Sequence, residues 1–115
     1  MGLLRITVTA GESGPVLVLA GETDMTTVAE LSGALTAQLA SGARHLTVDI
    51  SGLRFADSPS MRALAVTARA LRERNGDMVL LRPQPTVARV LSLTSLDQIA
   101  TVRPDTSAEA EPEAT

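Results

Sequence analysis

The 115-residue chain has no cysteine, tryptophan, tyrosine or lysine, and its one aromatic residue is Phe55. Without cysteine there are no disulfides, no thiolate catalysis and few routes to a zinc site. Without lysine there is no amine nucleophile or Schiff base. A single aromatic ring cannot build the stacking platforms that hold single-stranded nucleic acid. No apolar run approaches the length of a membrane span, and Met1-Gly2-Leu3-Leu4-Arg5 opens a strand pattern rather than a secretory signal. These absences fit a cytoplasmic protein that binds neither nucleic acid nor membrane.

What remains is an aliphatic chain, 44% hydrophobic, which is enough for one domain with a real core. Its net charge of −3 is unevenly spread. All ten basic residues lie at or before Arg103, among nine acidic ones, so the body carries about one positive charge. Asp105, Glu109, Glu111 and Glu113 follow with no basic residue between them. A nearly neutral body lacks the basic footprint of a nucleic-acid binder. The boundaries expected are a folded domain over 1–103 and a disordered acidic tail over 104–115, where no core residue is larger than alanine.

Leu4, Ile6 and Val8 alternate with Arg5, Thr7 and Thr9, which predicts a half-buried strand. A turn at Glu12-Ser13-Gly14-Pro15 and an aliphatic run over 16–20 complete a hairpin. Gly21-Glu22-Thr23-Asp24 should break the sheet. Thr27 and Glu30 have capping-box spacing ahead of Val28, Leu31, Leu35 and Leu39, and Ser41-Gly42 stops that helix. Met61, Leu64, Ala65, Ala68 and Leu71 mark a second helix ending at Asn75-Gly76. A strand over 78–81, a short helix capped by Thr86 and a strand over 99–102 complete a β-β-α-β-α-β-α-β order. That order implies an α/β fold with a mixed sheet and helices packed on one side.

The stretch around which the chain is organised is 48–64. Leu46, Val48 and Ile50 alternate with Thr47 and Asp49 as in a strand, and Ser51-Gly52 should end it. Asp57-Ser58-Pro59 then reads as a helix start, with serine as N-cap and proline in the first turn. Ser58 is therefore expected at the exposed mouth of a helix, where N–H groups and the helix dipole favour anions.

At these residues the chain resembles the STAS domains, and more narrowly the anti-sigma factor antagonists. The resemblance is carried by Asp49-Ile50-Ser51-Gly52-Leu53-Arg54-Phe55-Ala56-Asp57-Ser58 with Met61-Arg62-Ala63-Leu64, which is similar to the family's phosphoserine motif. It is also carried by Gly21-Glu22-Thr23-Asp24 with Thr27, and by Val90-Leu91-Ser92-Leu93-Thr94-Ser95-Leu96-Asp97, in the family's order. The resemblance implies a domain that binds a serine-kinase anti-sigma factor and is released when that kinase phosphorylates Ser58. A phosphatase of the PP2C type would restore binding. The docking face it implies comprises Asp24, Met25, Thr27, Arg54, Asp57, Ser58, Pro59, Ser60 and Met61. No catalytic residue, metal or cofactor is implied, and a monomer is expected. Departures are Pro59-Ser60 where the family has Ser/Thr-Gly, Ser95 where it has glycine, and Ala100 in place of a bulky apolar residue.

Plainer readings stand beside these. Ser58 is also explained as a cap, and Asp24 and Asp57 as solvated turn residues rather than paired catalytic carboxylates. Ser60 is a weaker substitute acceptor, Thr27 reads better as a cap than as a second acceptor, and Met61 has core spacing. His45 reads as structural or solvent-facing, and Arg62, Arg69 and Arg72 as a soluble helix face. Two alternative functions remain: a STAS interaction adaptor without regulated phosphorylation, and a module holding a nucleotide or lipid between the turns at 21–27 and 51–61.

Overall fold

The computed structural model describes residues 3–104. The expected acidic tail lies outside the described residues apart from its first member, Pro104. The elements run β1 (Leu4–Ala10), β2 (Pro15–Glu22), α1 (Val28–Ala40), β3 (His45–Phe55), α2 (Ser58–Glu73), β4 (Asp77–Leu81), α3 (Pro85–Leu93) and β5 (Thr101–Arg103), with a 3-10 turn at Leu96–Gln98. They form a five-stranded sheet in chain order. β1 pairs antiparallel with β2, and the remaining neighbours are parallel, each pair bridged by a helix. The mixed α/β architecture expected from the sequence is the one observed.

Strand alternation sorts the side chains into two faces. Leu17, Leu19, Leu46, Val48, Ile50, Met78 and Leu80 bury into one cluster with Leu31 and Leu35 of α1, Leu64, Ala68 and Leu71 of α2, and Val87 and Leu91 of α3. Val16, Val18, Thr47, Asp49 and Val79, on the other face, are half-buried and lie outside that cluster. The Arg74 guanidinium donates to the carbonyls of Leu39 and Ala43 at 2.9 and 3.1 Å, tying the end of α2 to the end of α1.

Several boundaries depart from expectation. β2 stops at Glu22, inside the Gly21–Asp24 stretch expected to break the sheet, but Ser51-Gly52 does not end β3. β2 and β3 stay paired to Glu22↔Phe55 by slipping register twice, first between Val18↔Asp49 and Ala20↔Gly52, then between Gly21↔Leu53 and Glu22↔Phe55. A bulge thus absorbs what looked like a break. Gly52 permits it, because a Cβ there would stand 3.1 Å from the Cβ of Ala20. The Asp49 carboxylate supports the bulge by accepting from the Ser51 N–H (3.0 Å) and hydroxyl (2.8 Å).

Thr27 precedes α1 but makes no side-chain cap, so the capping box with Glu30 does not form. α3 starts one residue before Thr86, at Pro85 with Gln84 as N-cap, since proline is preset for the first turn. β5 begins at Thr101, because residues 96–98 take the 3-10 turn, which Ser95 enters at φ 61. Val8, expected to be half-buried, is 50% exposed.

Candidate phosphoacceptor and docking site

Because β2 and β3 are parallel, their carboxyl ends emerge side by side, the place where α/β sheets gather functional groups. Thr23, which follows β2, locks the two exits together. Its N–H donates to the Phe55 carbonyl at 3.0 Å, and its hydroxyl accepts from the Asp57 N–H at 3.3 Å. Thr23 is wholly buried.

The turn after Thr23 is closed by its own side chains. The Asp24 carboxylate accepts from the Thr26 N–H (2.9 Å) and hydroxyl (2.6 Å). The Thr27 hydroxyl accepts from the Asp24 N–H at 2.9 Å. Thr27 therefore folds back onto the turn instead of capping forward, since short polar side chains compete with the helix for nearby backbone groups.

Helix α2 begins at Ser58, and its N-cap is Asp57, not the expected Ser58. The Asp57 carboxylate accepts from the Ser60 N–H at 3.2 Å. Of the first donors of this helix, the Asp57 N–H is taken by Thr23, Pro59 has none, and the Ser60 N–H is taken by Asp57. The array of free N–H groups expected around Ser58 is thus reduced to its own. The Ser58 hydroxyl is exposed and makes no cap, so it carries no structural duty at this position.

Of the other residues expected on the docking face, Pro59 and Arg54 are exposed, Asp57 is half-exposed, and Met25 is 83% exposed. Arg54 approaches Glu22 at 3.6 Å, a surface pair of little energetic weight. Three of the residues assigned to the docking face lie inside instead. Thr27 is 5% exposed, Met61 2% and Ser60 0%. Ser60 shares a helix face with Leu64 and Thr67, so its hydroxyl points inward and finds no hydrogen-bond partner. Buried as they are, they are not surface contacts of the free domain.

Glu22, Thr23 and Phe55 fall within the sequence motifs, but none of them was assigned to the site. Phe55 is 51% exposed, although alternation from buried Leu53 would turn it inward; the second register slip breaks that alternation. Its being the lone aromatic, two residues before Asp57, was the available signal. A shallow groove of about 280 Å³ between α1 and α2, lined by Ser32, Thr36, Pro59, Arg62 and Val66 among others, extends the exposed surface away from Ser58.

Below the site, Asp49 and Arg82 form a partly buried ion pair, and Gln84 donates to the Ser51 carbonyl at 2.8 Å. Burial, the largest single influence, raises the Asp49 pKa, but the two hydrogen bonds from Ser51 and the charge of Arg82 outweigh it, leaving the carboxyl below its ordinary range. Among the described residues no group of histidines or carboxylates is arranged to hold a metal ion. No helix there is long and apolar enough to cross a membrane.

Comparison with known proteins agrees with this geometry. The family model described as Mlab, STAS domain matches residues 6–103. The anti-sigma-B factor antagonist of Staphylococcus aureus is 26% identical over 106 residues, spanning 92% of this chain and 98% of that one. The crystal structure of an anti-sigma factor antagonist from Mycobacterium paratuberculosis superposes with a TM-score of 0.83 at 26% identity, covering 92% of this chain and 90% of the other. SpoIIAA, an anti-sigma factor antagonist and Bacillus cell fate determinant, shares the fold in two forms. The unphosphorylated form has a TM-score of 0.76 at 24% identity and covers 92% of each chain. The phosphorylated form has a TM-score of 0.70 at 23% identity and covers 94% of this chain and 96% of the other. With the match extending from β1 through β5, the chain belongs to the STAS domain family.

Proposed function

We propose that this protein is an anti-sigma factor antagonist whose docking face surrounds Ser58 and whose partner is a serine-kinase anti-sigma factor. Phosphorylation of Ser58 ends the complex, and a PP2C-type phosphatase restores it. The observation that carries this reading is an exposed hydroxyl with no capping role, next to Asp57 and to the turn that holds Asp24. A phosphoryl group adds about −1.5 to −2 charges at neutral pH. Because the neighbouring N–H donors are already engaged, the helix end can absorb little of that charge. The charge stays on the surface, where a docked protein would have to desolvate it beside carboxylates. The relationship to antagonists from Staphylococcus and Mycobacterium supports the same role.

The test is phosphorylation by the cognate kinase, followed by partner binding. Wild type is labelled and Ser58→Ala is not, while Ser58→Asp binds the kinase at least about tenfold more weakly. Labelling that persists in Ser58→Ala overturns the site. A second reading, a constitutive STAS adaptor, is favoured by Pro59 and the buried Ser60, which remove an N–H donor and fill the helix start. It requires equal partner affinity for wild type, Ser58→Ala and Ser58→Asp.

A further inference from the structure

The two edges of the sheet are built differently. β5 is three residues long and is followed directly by Pro104. Shortness and proline are standard protection against edge pairing. β1 has neither. It runs seven residues as Leu-Arg-Ile-Thr-Val-Thr-Ala, pairs with β2 without a slip from Leu4↔Gly21 to Ala10↔Pro15, and carries one charge, Arg5. Ile6, Thr7, Val8 and Thr9 are β-branched, and Val8 is half-exposed.

The direction of the backbone groups follows from the hairpin. The Leu3 carbonyl accepts from Glu22, and the Gly11 N–H donates to Gly14, both within the hairpin. With unbroken antiparallel register, the odd-numbered residues between them also turn their N–H and C=O toward β2. Leu4, Ile6, Val8 and Ala10 therefore direct theirs outward. Among the described residues no strand takes them up.

We propose that this edge pairs antiparallel with β1 of a second copy of the chain, about a two-fold axis at Thr7, joining two sheets into one. In that register Leu4 faces Ala10 and Ile6 faces Val8 of the second copy. All four outward residues on each side become hydrogen-bonded, and the exposed Val8 gains an aliphatic neighbour. Arg5 faces Thr9, and the two Arg5 side chains stand about 13 Å apart along the strands, beyond the screening length of about 8–10 Å. An axis at Ile6 would bring the arginines to about 7 Å and lose one of the four pairs on each side. The strand is thus self-complementary in one register, which points to a copy of itself rather than to an arbitrary partner. The inference does not depend on Ser58.

The chain lacks cysteine, so a single engineered thiol reports the register directly. The 115-residue protein is followed by sedimentation equilibrium up to about 0.5 mM, a range suited to a weak dimer. Wild type approaches twice the monomer mass. Val8→Pro, which removes an outward N–H that β2 does not use, and Val8→Lys, which puts a charge on the edge, remain monomeric with unchanged far-UV circular dichroism. Under mild oxidation Thr7→Cys cross-links at least about tenfold faster than Thr9→Cys, because only position 7 meets itself at a Cα spacing a disulfide can bridge. A wild type that stays monomeric throughout, dimers that survive Val8→Lys, or equal cross-linking at positions 7 and 9 would each overturn the proposal.

Discussion

The buried Thr23 hydroxyl accepts the N–H of Asp57, 34 residues away, at 3.3 Å. One hydrogen bond thus joins the turn after β2 to the loop that presents Ser58. It ties the Asp24 turn to the start of α2, the two segments of the proposed docking face.

Thr23→Val keeps the shape of the side chain and removes the acceptor. The partly buried Asp57 N–H then loses its partner, which costs about 1 kcal/mol. Urea denaturation will show the loss, and amide exchange at Asp57 will accelerate. Unchanged exchange would mean that the two turns are held together by other contacts.

Asp57, not Ser58, caps α2. Asp57→Ala is expected to cost about 1 kcal/mol. Ser58→Ala, at an exposed non-capping position, stays within about 0.5 kcal/mol of wild type. Thermal unfolding of the two variants separates a structural serine from a functional one, and a large loss in Ser58→Ala would return Ser58 to the role of a cap.

Ser60 buries a hydroxyl without a hydrogen bond. Ser60→Ala removes that unpaired group and is expected to raise stability by about 1 kcal/mol. Chemical denaturation decides the matter, since a loss of similar size would show that the hydroxyl has a partner in solution.

Asp49 titrates below the ordinary carboxylate value of 3.8 in the folded protein. The unfolded chain therefore takes up this proton at higher pH than the native one. The resulting stabilisation is fully present above the unfolded value and is lost as the pH falls through the lower native value. Stability measured from pH 7 down to pH 2 should show an acid limb that becomes shallower in Asp49→Asn. An identical limb in the variant would assign the acid sensitivity to other carboxylates.

The element order was legible because hydrophobic periodicity is local. Leu31 and Leu35, Leu64 and Leu71, and Leu46, Val48 and Ile50 all fall inside, at the spacing the sequence shows. The exposed position of Ser58 was legible as well, since Pro59 marks a helix start wherever it occurs in such a pattern. Helix starts were read less well where two polar side chains competed. Asp57 took the cap from Ser58, and Thr27 turned back to the Asp24 N–H instead of meeting Glu30.

The end of β3 and which residues of the proposed docking face reach solvent were not legible. Ser51-Gly52 looks like a stop when read alone. It becomes a bulge only because β2 runs alongside and Gly52 lets Ala20 approach. The second slip, between Gly21↔Leu53 and Glu22↔Phe55, exposes Phe55, while the packing of α2 turns Ser60 and Met61 inward.

The sequence alone determined the succession of strands and helices, the aliphatic core and the serine at a helix mouth, since each rests on neighbours within a few residues. The tertiary structure decided which residues around the serine reach solvent and which sheet edge is left open. Those outcomes depend on how separate segments pack and pair, as where the Thr23 hydroxyl meets the Asp57 N–H across 34 residues, and no pattern within a few residues encodes them.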